Sequence, residues 1–307
     1  MSESAHAPSE TPDAAVMTIA RVDTCEIPPY FANDAAGPAV MVDLTYGDDD
    51  HQKYDLALPD IPVPTALVVL VHGGGWTAGT KALFRPTIRS LATIGYAAAT
   101  VEYRLARDER RRFPAGLADV RCAIRAVQTR VGVAKLVLLG ASAGGHLAAM
   151  VAAEPAGMFD GDCADRTPIH VDGAVLYYAP LALDRARERY IPKMRQAVDE
   201  LLFGAKAFQD GVDESSPDWM ARAREATPSH AVGHGTPPML LLHGAADNIV
   251  PVEDALELAA ALKQAGTPSL VIEVPEQGHG FPVLGRKPEL RPASCSVLHF
   301  LEQIAAR

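Results

Sequence analysis

Cysteine is sparse in this sequence. Cys25, Cys122, Cys163 and Cys295 lie far apart with no C-x-x-C pairing. Neither a zinc site nor a redox motif is therefore suggested, and Cys122, set in an apolar helical pattern, reads as an inert core residue. An excess of basic charge is also missing. The formal net charge is -10, which argues against a nucleic-acid partner, because phosphate binding draws on clustered Lys and Arg. The one dense basic run, Arg107 to Arg112, is broken by Asp108 and Glu109 and precedes a helical pattern, as a solvated turn would. No stretch approaches the roughly 20 consecutive apolar residues of a membrane span, so no membrane partner is expected. Met1 to Val16 lack the basic start and apolar run of a secretion signal, and a cytoplasmic protein is the expectation. No HxH or HExxH spacing occurs, so neither a metal nor another cofactor is expected.

What is present is ordinary globular composition, 48% hydrophobic and 21% charged, in a chain long enough to bury a sizeable core. Residues 1–20 read as a disordered tail, polar and punctuated by proline. Short apolar runs then predict strands at Tyr54–Leu58, Leu67–Val71, Ala97–Tyr103, Leu136–Leu139, Ala174–Tyr178, Met239–Leu242 and Leu270–Val274. Several are apolar at nearly every position, the pattern of strands covered on both faces of a mainly parallel sheet. Between them, Val120, Ile124, Val127 and Val131 form one helical stripe. Ala255, Leu258, Leu262 and Ala265 form another, ended by Gly266 and Pro268. The alternation predicts a doubly wound α/β sheet in one domain, residues 21–307. It is interrupted at about 183–232 by two helices and no strand. One begins near Pro192, with Met194, Val198 and Leu201 on a face; the other begins at Ser216-Pro217. This insertion is expected to be a helical lid.

Two short motifs carry the chemistry. Gly140-Ala141-Ser142-Ala143-Gly144 follows a predicted strand and precedes a helix-favouring run. Small residues are needed there because a G-x-S-x-G turn is tight and aims the serine hydroxyl off the edge of the sheet. His72-Gly73-Gly74-Gly75-Trp76 follows another strand. Successive glycines allow backbone N–H groups to converge on one point, as an oxyanion requires. A phosphate loop would carry Lys and then Ser or Thr after its glycines, whereas Trp76 follows here.

These motifs, with the order of the elements, resemble the α/β-hydrolase superfamily, in particular the branch of carboxylesterases, hormone-sensitive-lipase-like enzymes, acetyl-xylan and feruloyl esterases and kynurenine formamidases. The resemblance runs from about Tyr54 to the C-terminus and leaves the first fifty residues unexplained. It implies a triad in the order nucleophile, acid, histidine. Ser142 is then the nucleophile, Asp247 in His243-Gly244-Ala245-Ala246-Asp247 the acid, and His279 in Gly278-His279-Gly280 the base. The backbone N–H groups of Ala143 and of Gly74 or Gly75 would hold the oxyanion, and Trp76 and Trp219 would either line the substrate pocket or serve packing. His72, His146, His243, His299, Asp119 and Glu273 read as structural.

The resulting expectation is a serine carboxylesterase for small, short-chain acyl esters, present as a monomer or homodimer. An aryl-formamide hydrolase is the enzymatic alternative. A non-catalytic small-molecule-binding relative is the alternative of another class, and peptidase activity is a weaker third reading.

Overall fold

A computed structural model describes residues 17–30, 37–154, 158–205 and 212–307. Eight strands form one sheet: β1 (Val40–Thr45), β2 (Lys53–Ala57), β3 (Leu67–Val71), β4 (Ala97–Val101), β5 (Leu136–Ala141), β6 (Gly173–Tyr177), β7 (Met239–Gly244) and β8 (Ser269–Val274). Their order is β1-β2-β4-β3-β5-β6-β7-β8, with β1, β2 and β4 paired antiparallel and every pairing from β4 through β8 parallel. β3, β4, β5, β6 and β7 are buried at every position. Both faces of these strands are covered, which is why they read as unbroken apolar runs.

The covering helices form two layers. Leu67, Val69 and Val71 of β3 face one core, shared with Val120, Ile124 and Val127 of α2 (Ala115–Val131), Leu147 of α3 (Ala143–Ala153) and Leu258 of α7 (Glu253–Gln264). Val68 and Leu70 face the other, shared with Ile88 and Leu91 of α1 (Arg85–Thr93) and with Phe300 and Ile304 of α8 (Arg291–Ala305). Each fully buried aliphatic side chain contributes roughly 1.5–3 kcal/mol. The stripe on α2 has the expected 3.6-residue period, and the helix stops at Gly132, whose φ of 70° suits glycine. The seven predicted strands are all present, with ends displaced by one or two residues.

Between β6 and β7 the chain carries α4 (Ala186–Arg189), α5 (Pro192–Phe203) and α6 (Pro217–Glu225), and no strand among the described residues. Met194, Val198 and Leu201 are the buried face of α5. Ser216 caps α6 by accepting from the Trp219 N–H at 3.1 Å, with Pro217 in the first turn. No described helix is long and apolar enough to cross a membrane.

Several expectations need correction. β1 and α1 were not anticipated. β1 is half-exposed and its register shifts between Met41 and Leu44, where Asp43 adopts φ 55°, so its alternation is lost. Residues 1–16, most of the expected tail, lie outside the described residues. Met17 and Ile19 in the rest of it are buried in the core that contains α8. Cys122 is not an isolated thiol: it is bonded to Cys163, and Cys25 to Cys295. Cα separations of 5.5 and 5.4 Å lie within the usual range for disulfides.

Candidate active site

Ser142 sits in the turn between β5 and α3 with φ 52° and ψ -125°. A non-glycine residue in such a conformation costs about 1–3 kcal/mol and persists only where its surroundings enforce it. Here they do. The Ser142 N–H donates to the Tyr177 carbonyl at 2.9 Å, pinning the turn to β6. A Cβ at Gly140 would overlap the Gly144 carbonyl, and one at Gly144 would overlap the Val71 carbonyl. Glycine alone allows strand, turn and helix to approach so closely.

Ser142 Oγ lies 2.9 Å from His279 Nε2, and His279 Nδ1 lies 2.8 Å from Asp247 Oδ2. The three side chains come from loops at the carboxyl ends of β5, β8 and β7, on the edge where parallel sheets bind ligands. Asp247 Oδ1 accepts from the N–H groups of Ile249 at 2.9 Å and Val250 at 3.0 Å. Burial pushes the Asp247 carboxyl upward, but the hydrogen bonds from His279, Val250 and Ile249 outweigh it and hold it below its ordinary value. It therefore stays ionised beside the imidazole. His243 Nε2 donates to the Val250 carbonyl at 2.8 Å, bracing the same loop from beneath. Tyr178 presents its ring edge-on to His279, with centroids 4.9 Å apart.

The glycine loop packs directly against the elbow, where a Cβ at Gly73 would overlap the Ala141 carbonyl and crowd Ser142 Cβ. Among the described residues no backbone–backbone bond takes up the N–H of Gly74 or Gly75. Ala143 is the first residue of α3, where an N–H has no partner within the helix. The loop is braced by His72, whose Nδ1 lies 2.8 Å from the Gly73 carbonyl and whose ring stacks on Tyr103 at 4.5 Å. Glu102 Oε1 stands 3.3 Å from His72 Nε2.

The other candidates fall to structural roles. His146 is buried: its Nδ1 accepts from Trp76 Nε1 at 3.1 Å and its Nε2 donates to the Ala226 carbonyl at 2.7 Å. Burial lowers it to about 4, keeping it neutral. Asp119 is clamped bidentately by Arg104, at 2.8 Å to each oxygen. His299 and Glu273 lie on α8 and β8, away from Ser142's cavity.

The cavity over Ser142 has a volume of about 820 Å³, in the range of small-molecule sites. Gly73, Gly74, Gly75 and His279 form its inner wall, and Met194, Ala197 and Glu200 of α5 form its roof. Trp76 and Trp219 do not line it. Both are 1% exposed. Trp76 is held by His146, and Trp219 Nε1 donates to Asp199 Oδ1 at 2.7 Å; large aromatics with a buried partner for their N–H pack inward. The residues that line it in their place, Tyr178, Phe281, Met194 and Tyr30, carry no local motif. Tyr178 was read only as the end of a strand.

Fold and site together define an α/β-hydrolase. The chain belongs to the family described as BD-FAE, whose model matches residues 54–262. It is similar to esterase LipC of Mycobacterium tuberculosis, 28% identical over 85% of this chain and 64% of that protein. It is also similar to kynurenine formamidase avaC of Aspergillus versicolor, 27% identical over 87% of this chain and 96% of that one. Among solved structures, Thermogutta terrifontis esterase 2 phosphonylated by sarin superposes with a TM-score of 0.67 at 28% identity, covering 87% of this chain and 95% of that one. The chain thus spans less than two thirds of the length of LipC.

Proposed function

We propose that this chain is a serine carboxylesterase hydrolysing small, short-chain acyl esters through an acyl-enzyme intermediate. The observation that carries the reading is the unbroken hydrogen-bonded series Ser142–His279–Asp247 at the floor of the cavity. Ser142 Oγ attacks the ester carbonyl as His279 Nε2 takes its proton. Asp247 fixes the imidazole tautomer and stabilises its charged form. The N–H groups of Gly74 or Gly75 and of Ala143 receive the oxyanion. His279 returns the proton to the departing alkoxide, then activates the water that releases the acid. The helices α4, α5 and α6 serve as a lid over the reacting groups. Esterases among the relatives support this assignment.

A fluorophosphonate probe should label the wild type and not Ser142→Ala, and the substitution should lower kcat on p-nitrophenyl acetate by about a million-fold. Equal labelling of both proteins would refute the nucleophile. The formamidase relative favours a second reading, hydrolysis of an aryl formamide. Parallel rates on p-nitrophenyl acetate and N-formylkynurenine separate the two, and faster cleavage of the amide would displace the ester reading.

We also infer that the protein matures in an oxidising compartment rather than the cytoplasm, because all four cysteines are paired and cytosolic thiols are kept reduced. Thiol titration of the native purified protein should find none free; four free thiols would return it to the cytoplasm.

A further inference from the structure

Three of the exposed large hydrophobic side chains, Tyr30, Leu83 and Ile191, come from separate segments yet all line the cavity over Ser142. Leu83 belongs to a 3-10 turn at Lys81–Phe84 and Ile191 precedes α5. Tyr30, 59% exposed, belongs to the N-terminal segment, more than a hundred residues before Ser142. That segment is fastened along its length. The Val22 N–H donates to Ser296 Oγ at 2.9 Å, Arg291 Nη2 donates to the Cys25 carbonyl at 2.6 Å, and Ser90 Oγ donates to the Pro29 carbonyl at 2.5 Å. Arg286 donates to the Pro28 carbonyl, and the Cys25–Cys295 disulfide rivets the segment to α8. Pro28 and Pro29 immediately precede Tyr30, so the chain that delivers its ring has little torsional freedom.

Resting on the esterase reading, we propose that residues 17–30 form a strap whose Tyr30 is a specificity-determining residue, completing with Leu83 and Ile191 an apolar outer wall for the large end of the ester. The inner wall beside Ser142 holds the scissile group, and the exposed side chains of the outer wall are left for the remainder of a larger ester. Half-exposed apolar surface becomes covered only when the substrate is long enough to meet it. The disulfide acts through Tyr30, by holding the strap in place.

The test uses the full chain and three esters: methyl acetate, 1-naphthyl acetate and methyl octanoate. Tyr30→Ala should lower kcat/KM on one or both large esters by about 10-fold relative to its effect on methyl acetate, the worth of part of an aromatic side chain's burial. Loss on the naphthyl ester places the wall on the alcohol side, and loss on the octanoate on the acyl side. A Cys25→Ser/Cys295→Ser variant, assayed where circular dichroism shows it folded, should shift selectivity the same way by a smaller factor, and Cys122→Ser/Cys163→Ser should not. Equal changes on all three esters in Tyr30→Ala would overturn the inference while leaving the esterase reading intact. A wild type that cleaves none of the three and takes no fluorophosphonate would overturn both.

Discussion

Ser142 is half-buried at the cavity and Asp199 is buried beside it in α5, and the regions around the two are held by different means. At the sheet edge, each reacting side chain is positioned by its own loop. Asp247 takes hydrogen bonds from the N–H groups two and three residues further on, and Ser142 is fixed by glycines within two positions of it. The helical segment between β6 and β7 is held by polar pairs between residues far apart in the chain. Asp199 of α5 accepts from Trp219 of α6. Asp254 of α7 accepts from the Leu181 and Ala182 N–H groups at 3.0 and 3.1 Å, from the Tyr190 hydroxyl and from Arg189, joining the start of that segment to α7. Asp184 faces His230 at 2.8 Å. The edge is fixed by contacts local in the chain, and the helical segment by contacts distant in it.

That contrast can be broken at either end. The largest effect is expected at the edge: Asp247→Asn should lower kcat by about 10,000-fold, because an amide favours the wrong imidazole tautomer, with no more than a small change in unfolding temperature. A loss of stability comparable to that of a core truncation, with turnover kept, would mean that Asp247 holds the loop rather than the histidine. The smaller effect lies in α5 and should touch stability alone. Burial raises Asp199 from 3.8 to about 6, against the lowering influence of the Trp219 hydrogen bond. The folded protein therefore keeps a proton there that the unfolded chain has released, and stability falls as pH rises from about 4 to about 6. Asp199→Asn retains an acceptor for Trp219 and loses that penalty. In urea it should be more stable than the wild type by about 1–3 kcal/mol at pH 8, with the difference vanishing below about pH 4. An equal difference at both pH values would show that the cost does not come from ionisation.

The same contrast explains what the sequence could tell. β3 to β7 were legible because burial on both faces leaves continuous apolar runs. The elbow, the glycine loop and the positions of Asp247 and His279 were legible because tight loops demand small residues within a few positions. The helices α5 and α6 announced themselves through Pro192 and Ser216-Pro217. How this segment is held did not, because the partner of Trp219 is 20 residues away and that of Tyr190, between α4 and α5, is 64 residues away. Trp76 and Trp219 looked like pocket residues by size, and the same size drew them into the core. β1 was hidden by its irregular, half-exposed edge. The cysteine pairings left no trace, since spacings of 270 and 41 residues form no local pattern and depend on the completed fold.

The Cys25–Cys295 bond has a topological consequence. With the backbone between them it closes all but the two ends of the polypeptide into a covalent ring. A peptide bond severed anywhere between residues 25 and 295, in the helical segment before β7 for instance, opens a circle instead of releasing a fragment, and the nicked molecule keeps Ser142, Asp247 and His279 on one connected strand.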